Sequence, residues 1–350
     1  MLYKSKLWME DLNRAAEALP ELFELAGKSV LVTGASGLVC SPVIDLFLCF
    51  NETHLEKIRI LAAGRHSEAI QQRFGPYFEK DYFQFVPYDA SKAESPFLPP
   101  CDYIIHGAGN AYPELIMKEP VETMLSNIWG LYGLLRHGRK NDLKRLLYVS
   151  SSEVYGKRER LQPYREDEYG YVDLLNPRNS YSMAKRAAET LCISYTEEYG
   201  IESIIVRLGH IYGPTASVKD NRVSSAWAHM AARGQNIVMK SDGAQVRSYC
   251  YCLDCASAMI KVLLKGEQAQ AYNISNPASI ISIREIAELF SEAGQVRFRM
   301  EYALQADRVG FNPMQNSSLD STLLQKLGWK GLWDAREGVS RTIQILKEIM

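Results

Sequence analysis

Residues 29–40 read Ser-Val-Leu-Val-Thr-Gly-Ala-Ser-Gly-Leu-Val-Cys, a short apolar run that ends at two glycines three positions apart. A run of this kind is typical of a strand buried in a parallel sheet, and a helical pattern follows it. The glycines let the backbone turn tightly and approach a pyrophosphate, whose charge is stabilised by free amides of the next helix. This context favours a dinucleotide-binding turn over a plain glycine turn, with candidate contacts at Gly34, Ser36, Gly37 and Leu38. Cys40 stands where such turns usually have a third small residue, and a thiol is small enough to be tolerated there.

Apolar runs of the same kind recur along the first two-thirds of the chain, at residues 58–62, 83–86, 103–106, 145–149 and 203–208. Helical patterns fill several of the gaps, notably at 120–139 and 181–199. Strands that alternate with helices predict right-handed crossovers and a parallel sheet covered on both faces. The predicted fold class is therefore α/β, with a Rossmann-type doubly wound sheet.

The pattern also predicts how the chain is divided. Residues 1–27 are an amphipathic helical extension that closes at Gly27, and it covers a sheet edge or joins a dimer contact. Beyond residue 210 the spacing is irregular, which indicates a smaller α/β part for the substrate. The predicted units are 28–209 with a returning segment at about 246–275 for the dinucleotide, and 210–245 with 276–350 for the substrate.

Charge and cysteine content exclude several classes of protein. The 350 residues include 40 Lys and Arg against 41 Asp and Glu, without the basic excess of a protein held to nucleic acid or anionic lipid. No stretch approaches the roughly 18 apolar residues of a membrane helix, and the N-terminal sequence lacks an apolar signal core. Seven cysteines, an odd number at ordinary density, disfavour a secreted disulfide framework. We expect a cytoplasmic protein that binds neither nucleic acid nor membrane.

Three of the cysteines cluster at positions 250, 252 and 255. A metal site would need a fourth ligand at suitable spacing, which the sequence does not offer, so we expect no metal. Cys252 and Cys255 have the spacing of a redox pair, but the favoured interpretation is buried thiols where a strand turns into a helix.

The second predicted strand ends in Ala-Ala-Gly-Arg-His at residues 62–66. A carboxylate here would bond the ribose hydroxyls of NAD, whereas an arginine pairs with the extra phosphate of NADP or stacks on adenine. Arg65 therefore leaves NAD and NADP both open, and a solvated loop charge is the alternative interpretation. Asp89 follows the third strand and is placed to meet an adenine edge, although an ordinary turn aspartate has the same position.

Residues 148–156 read Tyr-Val-Ser-Ser-Ser-Glu-Val-Tyr-Gly and leave the carboxyl end of the fifth strand, where open parallel sheets bind ligands. Tyr181 and Lys185 share one face of a predicted helix. A nearby ammonium favours phenolate, so we expect Lys185 to lower the pKa of Tyr181 toward that of a useful base. With 20 tyrosines this spacing arises by chance, and the order of glycine turn, serine cluster and Tyr-Lys pair is more informative.

In these motifs the chain resembles the extended short-chain dehydrogenase/reductase family of nucleotide-sugar epimerases, dehydratases and decarboxylases. The resemblance covers about residues 28–330. It includes Asn127 on a helix near the cofactor, and the segment 207–214, in which His210 stands where the family has asparagine. It also includes an arginine-bearing strand at 247–254 and a C-terminal Leu-Gly-Trp at 327–329.

The resemblance implies a shared first step. Tyr181 removes the proton of a sugar hydroxyl while hydride passes to nicotinamide, Ser151 hydrogen-bonds the developing keto oxygen, and Lys185 holds the nicotinamide ribose. The implied catalytic residues are Ser151, Glu153, Tyr181 and Lys185. The implied cofactor is NAD, with NADP left open by Arg65, and its contacts are those of the glycine turn with Arg65, Asp89, Ala108, Asn127, Tyr181 and Lys185. The implied substrate contacts are Ser152, Arg178, His210 and Arg247. Ser150 is interpreted as a buried serine bonded to backbone.

The second step distinguishes the subfamilies. Dehydratases carry an Asp-Glu pair where this chain has Ser152 and Glu153, so dehydration is disfavoured. The local sequence is most similar to that of UDP-glucuronate decarboxylases, although residues 313–320 lack an arginine that those enzymes have before the Leu-Gly-Trp segment. The order of preference is decarboxylase, 4-epimerase, dehydratase, then a reductase that releases its cofactor. A non-enzymatic cofactor-binding module is the alternative of another class.

The resemblance further implies a homodimer, in which the helices bearing Asn127 and Tyr181 form a four-helix bundle across a two-fold axis. Leu131, Leu134 and Leu135 have the spacing of such an interface, and equally that of a buried core face.

Overall fold

The computed structural model describes residues 2–92, 98–301 and 314–350. Its strands are β1 (Ser29–Thr33), β2 (Arg59–Gly64), β3 (Phe83–Pro87), β4 (Tyr103–His106), β5 (Arg145–Ser151), β6 (Ser203–Leu208), β7 (His210–Tyr212), β8 (Ile237–Met239), β9 (Val246–Tyr251), β10 (Ala271–Ile274), β11 (Ile280–Ser282) and β12 (Phe298–Met300). Its helices are α1 (Lys6–Glu17), α2 (Cys40–Thr53), α3 (Ser67–Phe74), α4 (Pro113–Lys118), α5 (Pro120–Lys140), α6 (Ser180–Tyr199), α7 (Val223–Ala232), α8 (Cys252–Lys265), α9 (Ile283–Gly294), α10 (Thr322–Lys326) and α11 (Ala335–Ile349). None of the helices in these ranges has the length and apolar character needed to cross a membrane.

Seven strands form one parallel sheet in the order β10-β6-β5-β4-β1-β2-β3. Both of its faces are covered, because successive side chains of β1 enter different apolar clusters. Val30 and Val32 pack into one cluster and Leu31 into the other, all fully buried. The prediction of a doubly wound Rossmann-type sheet is confirmed. A parallel sheet buried on both faces requires continuous apolar strands, which is why the runs were visible in the sequence.

The strand order brings the first glycine turn to the middle of the sheet. β1 lies between β4 and β2. β2 and β3 follow on one side of β1, and β4, β5 and β6 on the other, so the strand order reverses at this point. In doubly wound folds a crevice forms there, beyond the carboxyl ends of the strands. The turn after β1, the loop after β4 and the end of β5 therefore share one edge, and the candidate residues lie along it.

Residues beyond β6 build smaller sheets beside this edge. β7 and β9 pair in parallel, β11 runs antiparallel to β9, and β12 pairs with β8. Cys250 is the next-to-last residue of β9, and Cys252 and Cys255 lie in the first turn of α8. All three are fully buried with free thiols. The interpretation of these cysteines as thiols at a strand-to-helix turn is confirmed.

The N-terminal extension packs on helices. Pro20 interrupts the predicted helix, so α1 is followed by a separate 3-10 turn at Pro20–Leu25. α1 contacts α2, α8 and α11, and buries Trp8 completely. The carboxylate of Asp11 accepts hydrogen bonds from Tyr251 (3.0 Å) and Arg341 (2.8 Å), which ties α1 to β9 and α11. The expectation that the extension covers a sheet edge was therefore wrong.

Leu131, Leu134 and Leu135 of α5 are fully buried against the sheet with Leu31 and Ile104. Of the two interpretations of these leucines, the structure supports the buried core.

Candidate active site

The glycine turn after β1 is closely packed. Gly34 has a left-handed backbone with φ of +69°, and a Cβ there would come within 3.1 Å of the Gly107 carbonyl and the Ala108 nitrogen. A Cβ at Gly107 would in turn overlap the sulfur of Cys40, the first residue of α2. Cys40 is therefore accommodated because Gly107 has no side chain. The close approach of the two loops leaves no room for a side chain at Gly34 or Gly107.

The loop after β4 is held by a buried hydrogen-bond chain that the sequence analysis missed. The amide of Ala108 donates to the Thr33 hydroxyl (3.1 Å), which also bonds Nδ1 of His106 (2.7 Å). Burial, and then the charge of Lys185, lower the pKa of His106 to about 3, so its ring is neutral. The only sequence signal was a histidine at the end of an otherwise apolar run.

Asn127 reaches the same loop from α5. Its amide nitrogen donates to the Thr123 carbonyl (2.8 Å), while its buried Oδ1 has no partner among the described residues. A Cβ at Gly109 would lie 3.1 Å from that oxygen. Since a buried acceptor without a partner is costly, Oδ1 of Asn127 marks a place for a donor from a bound molecule.

The side chains at the ends of β2 and β3 lie further along the edge. Arg65 is exposed, and its charge acts on Asp89. Asp89 accepts hydrogen bonds at Oδ1 from the amide (3.0 Å) and hydroxyl (2.8 Å) of Ser91. This is the aspartate turn that the sequence analysis kept as an alternative.

The carboxylate of Glu153, just after β5, is held in place by two neighbouring side chains. Glu153 accepts two hydrogen bonds from the Arg178 guanidinium, both 3.0 Å, and one from Ser182 (3.0 Å). The structure thus places Arg178 against Glu153. Ser152 is buried beside Glu153 in the turn at Ser152–Tyr155.

Ser151 neighbours the phenol of Tyr181 and acts to lower its pKa. Burial, and next the charge of Glu153, raise the pKa of Tyr181 to about 12. Nζ of Lys185 lies 5.7 Å from the Tyr181 ring centre and donates to the Val149 carbonyl (2.7 Å). Burial lowers the pKa of Lys185 to about 7. The pKa of Tyr181 is therefore raised, whereas we expected Lys185 to lower it. The ammonium of Lys185 faces the strand, and the effect of burial on the pKa of Tyr181 dominates.

A buried ionic network supports this region from behind. Glu189 of α6 pairs with Arg207 of β6 (2.7 Å) and accepts the hydroxyl of Ser150 (2.5 Å). Arg207 also donates to Tyr155 (3.0 Å). Ser150 thus bonds a carboxylate, and the expected backbone bond was wrong.

The substrate-side candidates lie on paired strands, with His210 opposite Tyr249 in the register of β7 and β9. Burial, and then Arg247 and Arg222, lower the pKa of His210 to about 3, and its Nδ1 has no partner among the described residues. Arg247 is 3% exposed and its guanidinium reaches the carbonyls of Val246 (2.9 Å) and Gln315 (3.5 Å).

Arg222 was missed by the sequence analysis. It pairs with Asp220 (2.5 Å) just before α7, and its charge acts on both Tyr181 and His210. Nothing in the loop sequence indicates that Arg222 interacts with both the catalytic candidate Tyr181 and the substrate candidate His210.

The model of the NAD dependent epimerase/dehydratase family matches residues 30–275. The chain belongs to this family. The match confirms the family predicted from the glycine turn, the serine cluster and the Tyr-Lys pair.

Curated relatives in the NAD-dependent epimerase/dehydratase family extend the match. UDP-glucuronic acid decarboxylase 6 of Arabidopsis thaliana is 29% identical over 310 residues, which cover 89% of this chain and 86% of that protein. UDP-glucuronic acid decarboxylase 1 of Xenopus tropicalis is 26% identical over 330 residues, covering 93% and 74%.

Solved structures show the same fold. UDP-glucose 4-epimerase of Thermotoga maritima with UDP-glucose has a TM-score of 0.76 at 20% identity, covering 92% of this chain and 99% of that chain. dTDP-glucose 4,6-dehydratase of Bacillus anthracis with NAD has a TM-score of 0.74 at 18% identity, covering 92% and 97%.

Proposed function

We propose that this member of the epimerase/dehydratase family oxidises a nucleotide sugar at C4, and that its reaction is the decarboxylation of UDP-glucuronate. The single observation that carries the proposal is the constellation at the end of β5, where Ser151 neighbours Tyr181 and Glu153 is held by Arg178 and Ser182. The names of the curated relatives support the choice of substrate.

The residues around the glycine turn fit a nicotinamide dinucleotide. Gly34 has the left-handed backbone of a tight turn, and Oδ1 of Asn127 is a buried acceptor that a ligand can satisfy. Lys185 would contact the nicotinamide ribose, and Arg65 and Asp89 the adenosine. When bound, the oxidised cofactor supplies a hydride acceptor for the sugar carbon and a positive charge beside Tyr181.

The chain's own residues handle the protons of the reaction. Tyr181 receives the proton of the C4 hydroxyl, and Ser151 donates a hydrogen bond to the forming keto oxygen. A positive charge nearby lowers the pKa of a tyrosine, which counteracts the rise that burial and Glu153 cause in this structure. Oxidation of a glucuronate at C4 yields a β-keto acid, which readily loses carbon dioxide and leaves an enolate that takes up a proton at C5 from water. The keto group is then reduced, with Tyr181 returning the proton.

Glu153 is proposed to orient the sugar while paired with Arg178. The pairing keeps a second negative charge from accumulating beside the substrate carboxylate, because the guanidinium offsets it. Ser152 has no acidic group, so elimination of water lacks the acid that it needs.

A 4-epimerase is the second candidate, and one observation favours it. The segment Gln315–Ser317 lies along β9, where the Val246 amide donates to Gln315 (2.9 Å), and it brings no cation toward Arg247 and the sugar. An epimerase needs no group to hold a sugar carboxylate. Pro313, the first residue of the stretch noted in the sequence, lies outside the described residues.

Mass spectrometry of the reaction tests the proposal. The protein is incubated with UDP-glucuronate, UDP-glucose and dTDP-glucose, and we expect only UDP-glucuronate to lose the mass of carbon dioxide. An unchanged mass with altered stereochemistry by NMR indicates the epimerase, and loss of water the dehydratase. Tyr181→Phe is the matched control, expected to bind dinucleotide but to lower turnover about a thousandfold or more. Full turnover by this variant contradicts the assigned base.

A homodimer is also part of the proposal. Large side chains lie exposed at helical spacing on α5, with another on α6, namely Val121, Met124, Trp129, Tyr132 and Tyr199. Exposed apolar surface of this kind is typical of an interface. Light scattering at micromolar concentration is expected to give twice the chain mass, and Trp129→Glu the monomer mass. A monomeric parent protein contradicts the dimer.

The proposal also covers the cellular location of the protein and the division of its chain into two units. Seven free thiols support a reducing, cytoplasmic location. Residues 28–209 with 246–275 are proposed to bind the dinucleotide, and 210–245 with 276–350 the nucleotide sugar. His210 is proposed to contact the substrate from the second unit, and Arg247 from the returning segment of the first.

A further inference from the structure

The end of β2 has no acidic residue at the position where a dinucleotide would place its adenosine ribose. Thr33 and Ala63 are paired in register, so residues 64–66 leave the sheet beside the glycine turn. A dinucleotide in this crevice has its adenosine ribose at the end of the second strand. A carboxylate there bonds the two ribose hydroxyls of NAD, and the same carboxylate repels the 2′-phosphate of NADP. The sequence Gly-Arg-His at 64–66 has no carboxylate, and no acidic residue lies between Glu56 and Glu68.

The backbone conformation at residue 64 does not require a glycine. Its φ is outside the left-handed range, and a Cβ there would meet only the side chain of Ile70, at 3.6 Å and 3.9 Å. These are ordinary van der Waals distances. The glycine therefore leaves space at the ribose position that a larger side chain would fit, and the lack of an acid is a property of the site rather than a consequence of the fold.

Arg65 supplies an uncommitted positive charge at this place. Its side chain is exposed and forms neither an ion pair nor a hydrogen bond among the described residues. Its charge acts on Asp89, whose Oδ1 already accepts two hydrogen bonds from Ser91. A guanidinium in this state forms charge-assisted hydrogen bonds to phosphate at no cost of breaking another pair.

We propose that this chain prefers NADP to NAD, and that Arg65 binds the 2′-phosphate in the space left by Gly64. The inference rests on the proposed dinucleotide chemistry. It goes beyond that chemistry, because a hydride that is returned within one turnover can be carried by either dinucleotide.

Direct binding measurements test the preference without relying on turnover. The full-length protein is titrated with NADP⁺ and with NAD⁺ by calorimetry, and we expect NADP⁺ to bind about tenfold more tightly or better. The preference is expected to shrink as salt rises from about 50 to about 300 mM, because the contact with Arg65 is exposed. Equal binding of the two, or tighter binding of NAD⁺, overturns the inference.

Three variants locate the effect. Arg65→Gln is expected to weaken NADP⁺ about tenfold and to leave NAD⁺ within about twofold. Arg59→Gln is the matched control, since Arg59 is an exposed arginine at the opposite end of β2, and both affinities are expected to stay unchanged. Gly64→Asp is expected to reverse the preference. An unchanged NADP⁺ affinity in Arg65→Gln overturns the assignment. If the parent binds neither dinucleotide, the proposed function itself fails and the preference with it.

Discussion

Replacing Lys185 with methionine is expected to stabilise the protein while it abolishes turnover. Lys185 is 6% exposed, and burial lowers its pKa from 10.5 to about 7, an effect that Glu189 offsets only in part. Each tenfold change in a proton-binding constant is worth about 1.4 kcal/mol, so the buried ammonium costs the folded state about 5 kcal/mol near neutral or lower pH. Methionine leaves the Val149 carbonyl without its donor, at a cost of about 1–3 kcal/mol. The free energy of unfolding is therefore expected to rise by about 2–4 kcal/mol at about pH 6.

The dependence on pH identifies the cause. Below pH about 7 the lysine is protonated in both the folded and the unfolded chain, so the whole cost is present. Between about 7 and 10.5 the unfolded chain keeps this proton and the folded chain loses it, so the free energy of unfolding of the parent rises with pH. The advantage of Lys185→Met is consequently greatest below about pH 7 and disappears as the pH approaches 10.5.

Urea unfolding of the parent and of Lys185→Met at about pH 6 and about pH 9.5, without added nucleotide, measures this difference. Lys261→Met is the matched control. Lys261 is 8% exposed, but its Nζ is paired with Glu21 (2.5 Å), so its loss is expected to destabilise the protein at both pH values. If Lys185→Met is destabilised equally at both pH values, the reasoning about an unpaired buried ammonium is refuted.

Three further variants test the geometry of the site. Glu189→Gln leaves the guanidinium of Arg207 buried without a carboxylate, and urea unfolding is expected to show a loss of about 3–5 kcal/mol; a loss below about 1 kcal/mol contradicts the role of this pair. Gly107→Ala is expected to lower Tm, because the added Cβ overlaps the Cys40 sulfur, and Cys40→Ala in the same chain is expected to restore much of the loss. If the double variant is no more stable than Gly107→Ala, another contact is responsible. Arg178→Lys cannot form both hydrogen bonds to the carboxylate that Arg178 holds, so turnover is expected to fall about tenfold with Tm nearly unchanged, and unaltered turnover would contradict the positioning of that carboxylate.

The sheet could be predicted from sequence because of the way its strands are buried. The predicted runs at 103–106 and 203–208 coincide with β4 and β6, and all residues of β6 are buried. β10 is less evident, since its sequence Ala-Tyr-Asn-Ile contains a polar residue. The amide of Asn273 is buried and donates to the carbonyls of Tyr164 and Asp320 (both 2.9 Å), contacts that only the folded chain reveals. β10 was accordingly predicted only as part of a returning segment.

The candidate site could be predicted as a set of residues but not as a set of contacts. Spacing on a helix places Tyr181 and Lys185 on one face, yet it does not tell that Nζ of Lys185 turns to the Val149 carbonyl. Helical spacing likewise fits the leucines of α5 equally well to a dimer interface and to a buried core. Only their packing against the sheet distinguishes the two. The pairing of Glu153 with Arg178 joins residues 25 positions apart, and no local pattern encodes such a contact.

Two buried cations of the molecule support the proposed ligand site. Five lysine and arginine side chains are buried among the described residues, and three of them have a carboxylate within ion-pair distance, namely Arg178, Arg207 and Lys261. Lys185 and Arg247 have none in that part of the chain and bond only backbone carbonyls. Because a buried charge without a partner is costly, a protein retains one where a ligand compensates it. Lys185 lies beside Tyr181, and Arg247 on β9 interacts through its charge with Glu153, which supports a site that spans the dinucleotide and nucleotide-sugar sides of the crevice. The proposed site would let a chain with a net charge of −1 hold two anionic ligands, since a few desolvated cations act more strongly at short range than a general positive field.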